Sequence, residues 1–279
     1  MLAGSIFKKD YRQIDSVLEL LGYCFSILVG VVLGMLGGGG SILSIPILVY
    51  LFGVEPVLAS AYSLFIVGVT SLVGAIPKYK EQLVNLKTGF LFGIPSISAI
   101  FATRHWVVPA IPQIIFESGD FIFTRRELLL GLFASLMVLA SFRLIRNARE
   151  ASSDNRDFRV FLVIVEGALI GFLTGLIGAG GGFLIIPALV FLTGLPFKTA
   201  VGTSLFIIAI NSLTGFLGDL LNHSMDWQFL LTITALATFG ILLGNFFSRR
   251  VTAFYLRKAF GWFTLVVGAW ILLKEFVIS

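Results

Sequence analysis

The chain has 279 residues, of which 57% are hydrophobic and 13% are charged, and its formal net charge is +5. Soluble proteins are about half apolar and a quarter charged, so this composition excludes a water-soluble globular domain. The 30 glycines and 28 phenylalanines suit a bundle of membrane helices, where glycine permits close packing and phenylalanine faces lipid. The basic residues lie in short clusters between apolar runs, which is typical of cytoplasmic loops and excludes nucleic acid as a partner.

Ten apolar segments are predicted in chain order. They cover residues 17–36, 41–53, 57–76, 88–108 and 127–145, followed by 159–177, 183–194, 198–218, 228–248 and 256–274. Most have the roughly 20 residues that a bilayer crossing needs. The segments 41–53 and 183–194 are too short, and each follows a glycine cluster. We therefore predict half-helices or re-entrant arms at these two places.

The two groups of segments form an internal repeat with an offset of 141 residues. At that offset the run Gly37–Pro46 aligns with Gly178–Pro187, and about 20 of 45 positions from Gly30 to Gly74 are identical. Glycine, proline and serine coincide at fixed spacing, which indicates duplication rather than shared apolar composition. The predicted organisation is a basic N-terminal segment at 1–16, a first membrane repeat at 17–145, a cytoplasmic linker at 146–158 and a second membrane repeat at 159–279.

Loop charges predict the orientation of the repeats. The linker between the halves and the loop after Arg249 and Arg250 are rich in arginine and lysine, so both are expected in the cytoplasm. Each half then crosses the membrane an odd number of times, which gives inverted repeats. The predicted fold class is an all-α polytopic membrane protein with two inverted repeats, each with a Gly-rich broken or re-entrant helix hairpin. If the glycine break only kinks one crossing, the halves become parallel instead.

The glycine clusters are the first candidate binding elements. A run of glycines destabilises a helix by about 1 kcal/mol per residue, and a break at membrane depth is tolerated only where it is buried in protein or lines a wet cavity. New helices are expected to begin at Ser41 and Phe183, so that two positive helix N-termini face one space and form an anion site. The alternative is close helix packing, which we favour for earlier glycines such as Gly30 and Gly34. The candidate substrate-binding residues of the clusters are Gly38, Gly39, Gly40, Ser41, Gly180, Gly181 and Gly182.

Hydroxyl and amide side chains in the helix after each cluster are the second candidate elements. Ser63 and Thr70 in the first half correspond to Ser204 and Asn211 in the second. Each pair is seven residues apart and shares one helix face, which could offer neutral donors to an oxyanion. Thr203 is a further candidate substrate-binding residue. The alternative is bonding of these side chains to their own or a neighbouring helix.

The doubled pattern of a Gly-rich cluster with a proline, followed by a Ser-Leu-Phe helix, resembles the TauE/SafE family of membrane transporters, also called the sulfite exporter or toluene-sulfonate uptake permease family. The firmest residues are Gly37–Pro46 with Ser63, and Gly178–Pro187 with Thr203-Ser204. The resemblance implies a multi-pass protein of the cell membrane, expected in a bacterial inner membrane, that transports small anions such as sulfite, sulfoacetate, related organosulfonates or carboxylates. Tyr62 stands where the second half has Thr203, which departs from a symmetric site.

We therefore expect a secondary transporter, more specifically an exporter, that works by alternating access around a midplane site. The alternatives are a passive anion channel, a carboxylate transporter or a non-transporting membrane scaffold subunit. We expect no enzymatic activity, no cofactor and no metal. The expected partners are the anionic substrate and the lipid bilayer, with protons as a candidate coupling ion and a homodimer as a candidate assembly.

Overall fold

The computed structural model describes residues 2–107, 110–118, 121–146, 160–177, 182–220 and 224–274. The helices in these ranges are α1 (Leu2–Leu36), α2 (Gly39–Tyr50), α3 (Pro56–Lys80), α4 (Leu86–Ala102), α5 (Arg125–Arg146), α6 (Val160–Ile177), α7 (Gly182–Leu192), α8 (Phe197–Leu220), α9 (Trp227–Arg250) and α10 (Ala253–Leu273). A π-helical turn, Thr103–Val107, extends α4. Strands β1 (Ile114–Ser118) and β2 (Phe121–Thr124) pair antiparallel, with Ser118 opposite Phe121.

Six of these helices, α1, α3, α4, α8, α9 and α10, are long and apolar enough to cross a bilayer. Their outer faces carry large exposed apolar side chains, such as Ile94, Phe239 and Trp262, as expected for a surface in contact with lipid. The prediction of an all-α polytopic membrane protein is confirmed for the described part of the chain. The exception is the β1–β2 hairpin, which lies in the connector at 106–126 that the sequence left without an assigned role.

The two short apolar segments form the short helices α2 and α7, with 12 and 11 residues. At 1.5 Å per residue, helices of this length span about 18 Å, little more than half of a hydrocarbon core of about 30 Å. Each contains one proline, Pro46 or Pro187, at positions that are 141 residues apart. At the other extreme, α1 begins at Leu2 rather than near residue 17, so it includes the stretch expected to be a separate N-terminal segment.

Helices α1 and α9 touch through their backbones. A β-carbon on Gly34 would lie 2.5 Å from the carbonyl oxygen of Ile241 and 2.8 Å from the amide nitrogen of Asn245. Such an approach is possible only because glycine has no side chain, and small residues let membrane helices pack this closely. The close-packing interpretation of Gly34 therefore agrees with the observed contact.

The same contact recurs between α6 and α4. A β-carbon on Gly175 would meet the backbone of Ile100 at 3.1 Å. Gly175 and Ile100 are the residues that correspond to Gly34 and Ile241 at the 141-residue offset. The first helix of each group of five thus packs on the fourth helix of the other group.

Helices α3 and α8 lie at the centre and are the most buried of the six long apolar helices. A β-carbon on Gly68 would lie 2.9 Å from the side chain of Leu213, and one on Gly74 would lie 3.6 Å from that of Leu205. Higher numbers on α3 thus meet lower numbers on α8, so the two helices run antiparallel. They also occupy corresponding positions in the two halves of the sequence.

Candidate functional site

The chain turns sharply between α1 and α2. Gly37 has a φ of +77°, a backbone conformation that residues other than glycine strongly disfavour. Gly38 is the N-cap residue of α2. The helix resumes at Gly39 and not at Ser41, so the break is narrower than the predicted run Gly37–Gly40. Gly39 and Gly40 therefore lie in the first turn of α2 and not in the break.

Helix α2 returns along α1. A β-carbon on Gly40 would contact the backbone oxygen of Val29 and the side chain of Leu33. Further along, a β-carbon on Gly22 would lie 2.5 Å from the ring of Phe52, just beyond the end of α2. The glycine at position 40 is therefore needed for the close approach of α2 to α1. How deep this pair of helices lies in a membrane is still a prediction.

The N-terminal ends of α2 and α7 meet. The Cα atom of Gly38 lies 2.7 Å from the position that a β-carbon on Gly182 would occupy. A β-carbon on Gly37 would lie 2.8 Å from the Oγ of Ser204 and 2.8 Å from the side chain of Ile186. We call the meeting point of Gly37, Gly38 and Gly182 the α2–α7 junction. Helix N-termini carry a partial positive charge, so two of them in one place favour an anion.

The predicted hydroxyl and amide residues of α3 and α8 are all buried. Ser63, Thr70, Thr203, Ser204 and Asn211 are each at most 2% exposed. The Oγ of Ser204 donates to the backbone oxygen of Val201 at 2.8 Å, which is the local bonding that was the alternative for this residue. The Oγ of Ser41 likewise donates to the backbone oxygen of Gly38 at 2.7 Å.

Several buried polar atoms on this pair of helices have no hydrogen-bond partner within the described ranges. They are Thr70 Oγ1, Ser71 Oγ, Asn211 Oδ1 and Ser212 Oγ. The other end of the Asn211 amide does have a partner, because its Nδ2 donates to Ser96 Oγ at 2.8 Å. Buried polar groups are normally satisfied, so a group of unpartnered ones is where a polar ligand or water is expected.

Thr203 and its counterpart Tyr62 accept equivalent hydrogen bonds. The Oγ1 of Thr203 accepts a hydrogen bond from the backbone N–H of Asn85 at 2.9 Å, and the hydroxyl of Tyr62 accepts one from the backbone N–H of Asp226 at 2.8 Å. Asn85 and Asp226 are the N-cap residues of α4 and α9. Both side chains therefore fix the start of a later helix. This explains how a tyrosine can replace a threonine here without loss of the repeat architecture.

Two of the candidate residues, Gly180 and Gly181, lie outside the described residues, so only Gly182 represents the second cluster. For Gly39 the structure gives the backbone position at the start of α2. Of the remaining candidates, Gly38 and Gly182 come together at the α2–α7 junction, and Ser204 lies beside it.

A small cavity lies beside Asn211. It is lined by Leu64, Ile100, Arg104, Thr174, Asn211 and Gly215. The Oγ1 of Thr174 is buried and has no partner in the described part of the chain. The cavity therefore combines two unpartnered oxygen atoms with a guanidinium group.

The guanidinium of Arg104 is held by a carboxylate. Its Nη1 lies 2.8 Å from Oδ2 of Asp219, and both side chains are about one quarter exposed. The pair joins the π-helical turn after α4 to the end of α8. The sequence alone does not indicate this pair, because the two residues are 115 positions apart in the chain.

We expect removal of this ion pair to lower stability moderately. A double-mutant cycle of Arg104→Met and Asp219→Asn should give a coupling energy of about 1 kcal/mol, between the values of exposed and fully buried pairs. The measurement is thermal unfolding of the purified protein at low and high salt. A coupling energy that is zero at low salt would contradict the assignment.

Sequence reasoning also missed a hydrogen-bond network between α3 and α9. The ammonium of Lys78 donates to Ser248 Oγ at 2.7 Å, and Ser248 Oγ donates to the backbone oxygen of Asn245 at 2.9 Å. The Asn245 side chain donates to the backbone oxygen of Gly74 at 3.0 Å. Lys78 lies near the end of an apolar run, yet it is only 4% exposed. The sequence contained one indication of a polar position here, because Lys78 corresponds to another charged residue, Asp219, at the 141-residue offset.

The fold and this buried polar centre define the class of protein: a polytopic membrane protein whose helices cross around polar groups and meeting helix ends. The sequence profile of the family described as "Sulfite exporter TauE/SafE" matches residues 23–271. The chain therefore belongs to the TauE/SafE family and is a membrane transporter.

Curated relatives carry similar descriptions. The chain is 29% identical over 252 residues to the "Probable membrane transporter protein YunE" of Bacillus subtilis, covering 84% of this chain and 89% of the relative. It is 28% identical over 255 residues to a "Probable membrane transporter protein" of Xylella fastidiosa, covering 89% and 92%. It is also 28% identical to the "Probable membrane transporter protein MJ0441" of Methanocaldococcus jannaschii, covering 70% and 71%. No solved structure matches the chain significantly.

Proposed function

We propose that this membrane transporter is a secondary exporter of a small oxyanion, most specifically sulfite, sulfoacetate or a related organosulfonate. The observation that carries the proposal is the α2–α7 junction, where Gly38 and the Cβ position of Gly182 are 2.7 Å apart. Two helix N-termini supply positive potential there without a fixed charge, and nearby buried oxygen and amide groups can orient an oxyanion. The class of anion comes from the family description.

The proposed mechanism is alternating access between two inverted repeats. Support comes from the antiparallel course of the corresponding helices α3 and α8, together with the reciprocal packing of α1 on α9 and α6 on α4. In such an arrangement, the same site can be exposed to either side when one repeat moves against the other. Contacts made by glycine backbones can slide without rearranging long side chains, which suits this movement.

The test is uptake of labelled sulfite, sulfoacetate and a simple carboxylate into proteoliposomes, with and without a pH gradient. Saturable uptake of one anion, with counterflow, supports a transporter, and dependence on the gradient supports proton coupling. Gly182→Val should abolish this uptake because its side chain would occupy the α2–α7 junction. Gly93→Val is the matched control, since no described atom outside its own stretch of helix lies within 4 Å of the added β-carbon. Non-saturating flux at channel rates, or no flux of any of the three anions by folded protein, would contradict the proposal.

A further inference from the structure

Lys78 is a buried cation at the end of α3, where basic residues are concentrated. Its side chain is 4% exposed, and it interacts electrostatically with Lys198, Arg249 and Glu81. The carboxylate of Glu81 is already paired with Arg249, at 2.6 Å. Lys78 and Lys198 therefore leave this end of the molecule with local positive charge.

The only hydrogen-bond acceptor of Lys78 in the described part of the chain is the neutral oxygen of Ser248, at 2.7 Å. An ammonium group has three N–H donors, so two of them are left for another partner. Within those same ranges no carboxylate forms an ion pair with Lys78. Removing an ammonium from water costs several kcal/mol, whereas one hydrogen bond to a charged group returns about 1.5–3 kcal/mol. The site is thus incomplete without a negative charge.

Lys78 and the α2–α7 junction both contact the first turns of α8. A β-carbon on Gly202 would be 3.2 Å from the β-carbon of Lys78, so the two helices touch at this point. Two residues further along α8, Ser204 places its hydroxyl beside Gly37. Two residues correspond to about 3 Å along the helix axis and about 200° around it, so Lys78 and the α2–α7 junction lie at similar heights on opposite faces of α8.

The charge at the corresponding position in the other half of the chain is balanced. The residue that corresponds to Lys78 in the repeat is Asp219, and it is neutralised by Arg104 at 2.8 Å. The residue that corresponds to Arg104 is Asn245, which is uncharged. One position of the repeat therefore carries a neutralised ion pair, whereas Lys78 at the equivalent position has no paired carboxylate within the described residues.

We propose that Lys78 forms a second binding station for the transported anion at the basic end of the molecule. Two of its N–H groups would bind oxygen atoms of a small sulfite- or sulfonate-like anion entering or leaving the α2–α7 junction, and Lys198 would add positive potential. This station rests on the proposed anion transport and adds a specific residue and position to it.

The first test compares Lys78→Met with Lys80→Met, which removes an exposed cation two residues away. Initial rates of sulfite uptake into proteoliposomes, and equilibrium binding of labelled sulfite to detergent-solubilised protein, give KM and Kd. Lys78→Met should raise both at least about tenfold, Lys78→Arg should restore most of the affinity, and Lys80→Met should leave both unchanged. Equal constants for Lys78→Met and the wild-type protein would overturn the station while leaving the proposed transport intact.

The second test keeps the lysine and supplies its counter-ion from within the protein. Ser248→Asp should make the protein more resistant to thermal unfolding, because the new carboxylate pairs with Lys78. The same pairing should raise KM at least about tenfold, because the carboxylate competes with the transported anion for Lys78. Ser248→Ala retains the free charge and should have a much smaller effect on KM. A lysine that is merely structural would give Ser248→Asp an unchanged KM, which would overturn the proposal even if Lys78→Met fails to fold. Absence of uptake by the wild-type protein would overturn the proposed function and, with it, the station.

Discussion

Replacement of Gly34 by alanine is expected to lower the free energy of unfolding by about 2 kcal/mol. The added β-carbon would lie 2.5 Å from the carbonyl oxygen of Ile241, and a backbone atom cannot move aside by changing rotamer. Overpacking typically costs about 1–3 kcal/mol, and the upper end applies here. Alanine recovers about 1 kcal/mol through its better helix propensity. The net loss should appear as a lower midpoint of thermal unfolding in detergent and as a reduced monodisperse yield.

The matched control is Gly93→Ala, which adds the same methyl group to another membrane helix. Among the described residues, no atom from another part of the chain lies within 4 Å of the added carbon. The better helix propensity of alanine should therefore dominate, and stability should rise by up to about 1 kcal/mol. Gly175→Ala, at the corresponding position in the repeat, should resemble Gly34→Ala. If Gly34→Ala and Gly93→Ala had the same effect, the close contact between α1 and α9 would be wrong.

Much of the fold could be predicted because the repeat preserves the residues with the strongest local effects. Glycine ends or bends a helix, and proline limits where a helix can continue, so their coincidence at a 141-residue offset located both α2 and α7. Long apolar runs located the crossing helices for a similarly local reason. The start of α2 shifted from Ser41 to Gly39, and the start of α1 shifted from about residue 17 to Leu2.

The polar contacts could be predicted much less well, because each depends on which helices become neighbours. Nothing local in the sequence indicates that Tyr62 accepts a hydrogen bond from Asp226, or that Lys78 is buried against Ser248. The repeat offset would have helped: Tyr62 and Asp226 correspond to Thr203 and Asn85, which make the same bond. Comparing side chains at equivalent positions can thus indicate long-range contacts once one of the two is known.

The two ends of the polar centre suggest different tasks. At the Arg104 end a cation and a carboxylate neutralise each other, so opening this end would separate two charges. At the Lys78 end the hydrogen-bond partner of the cation within the described residues is neutral, so a bound anion would supply a counter-ion. The order of events at the two ends would then be set by the anion, because only one end gains a counter-ion when it binds.

Asn211→Asp is expected to raise the KM for anion transport by more than a hundredfold. Asn211 is 2% exposed, and its Oδ1 has no partner in the described ranges. A carboxylate there would place a negative charge beside the path of the anion. Two like charges about 6 Å apart repel by about 3 kcal/mol at an effective dielectric constant of about 20, which corresponds to a factor of more than 100 in affinity. The KM is measured from initial rates of sulfite uptake into proteoliposomes over a range of sulfite concentrations.

Asn211→Thr is the control, because the corresponding residue in the first half of the chain is Thr70 and a threonine is therefore compatible with this place in the repeat. It removes the hydrogen bond to Ser96 but adds no charge, so KM should change less than about tenfold. The difference in KM between the two variants separates the effect of charge from the effect of packing. This difference should decrease only slightly at high salt, because salt screens buried charges poorly. Similar KM values for Asn211→Asp and Asn211→Thr in folded protein would mean that no anion passes Asn211, and the binding path would have to be placed elsewhere in the bundle.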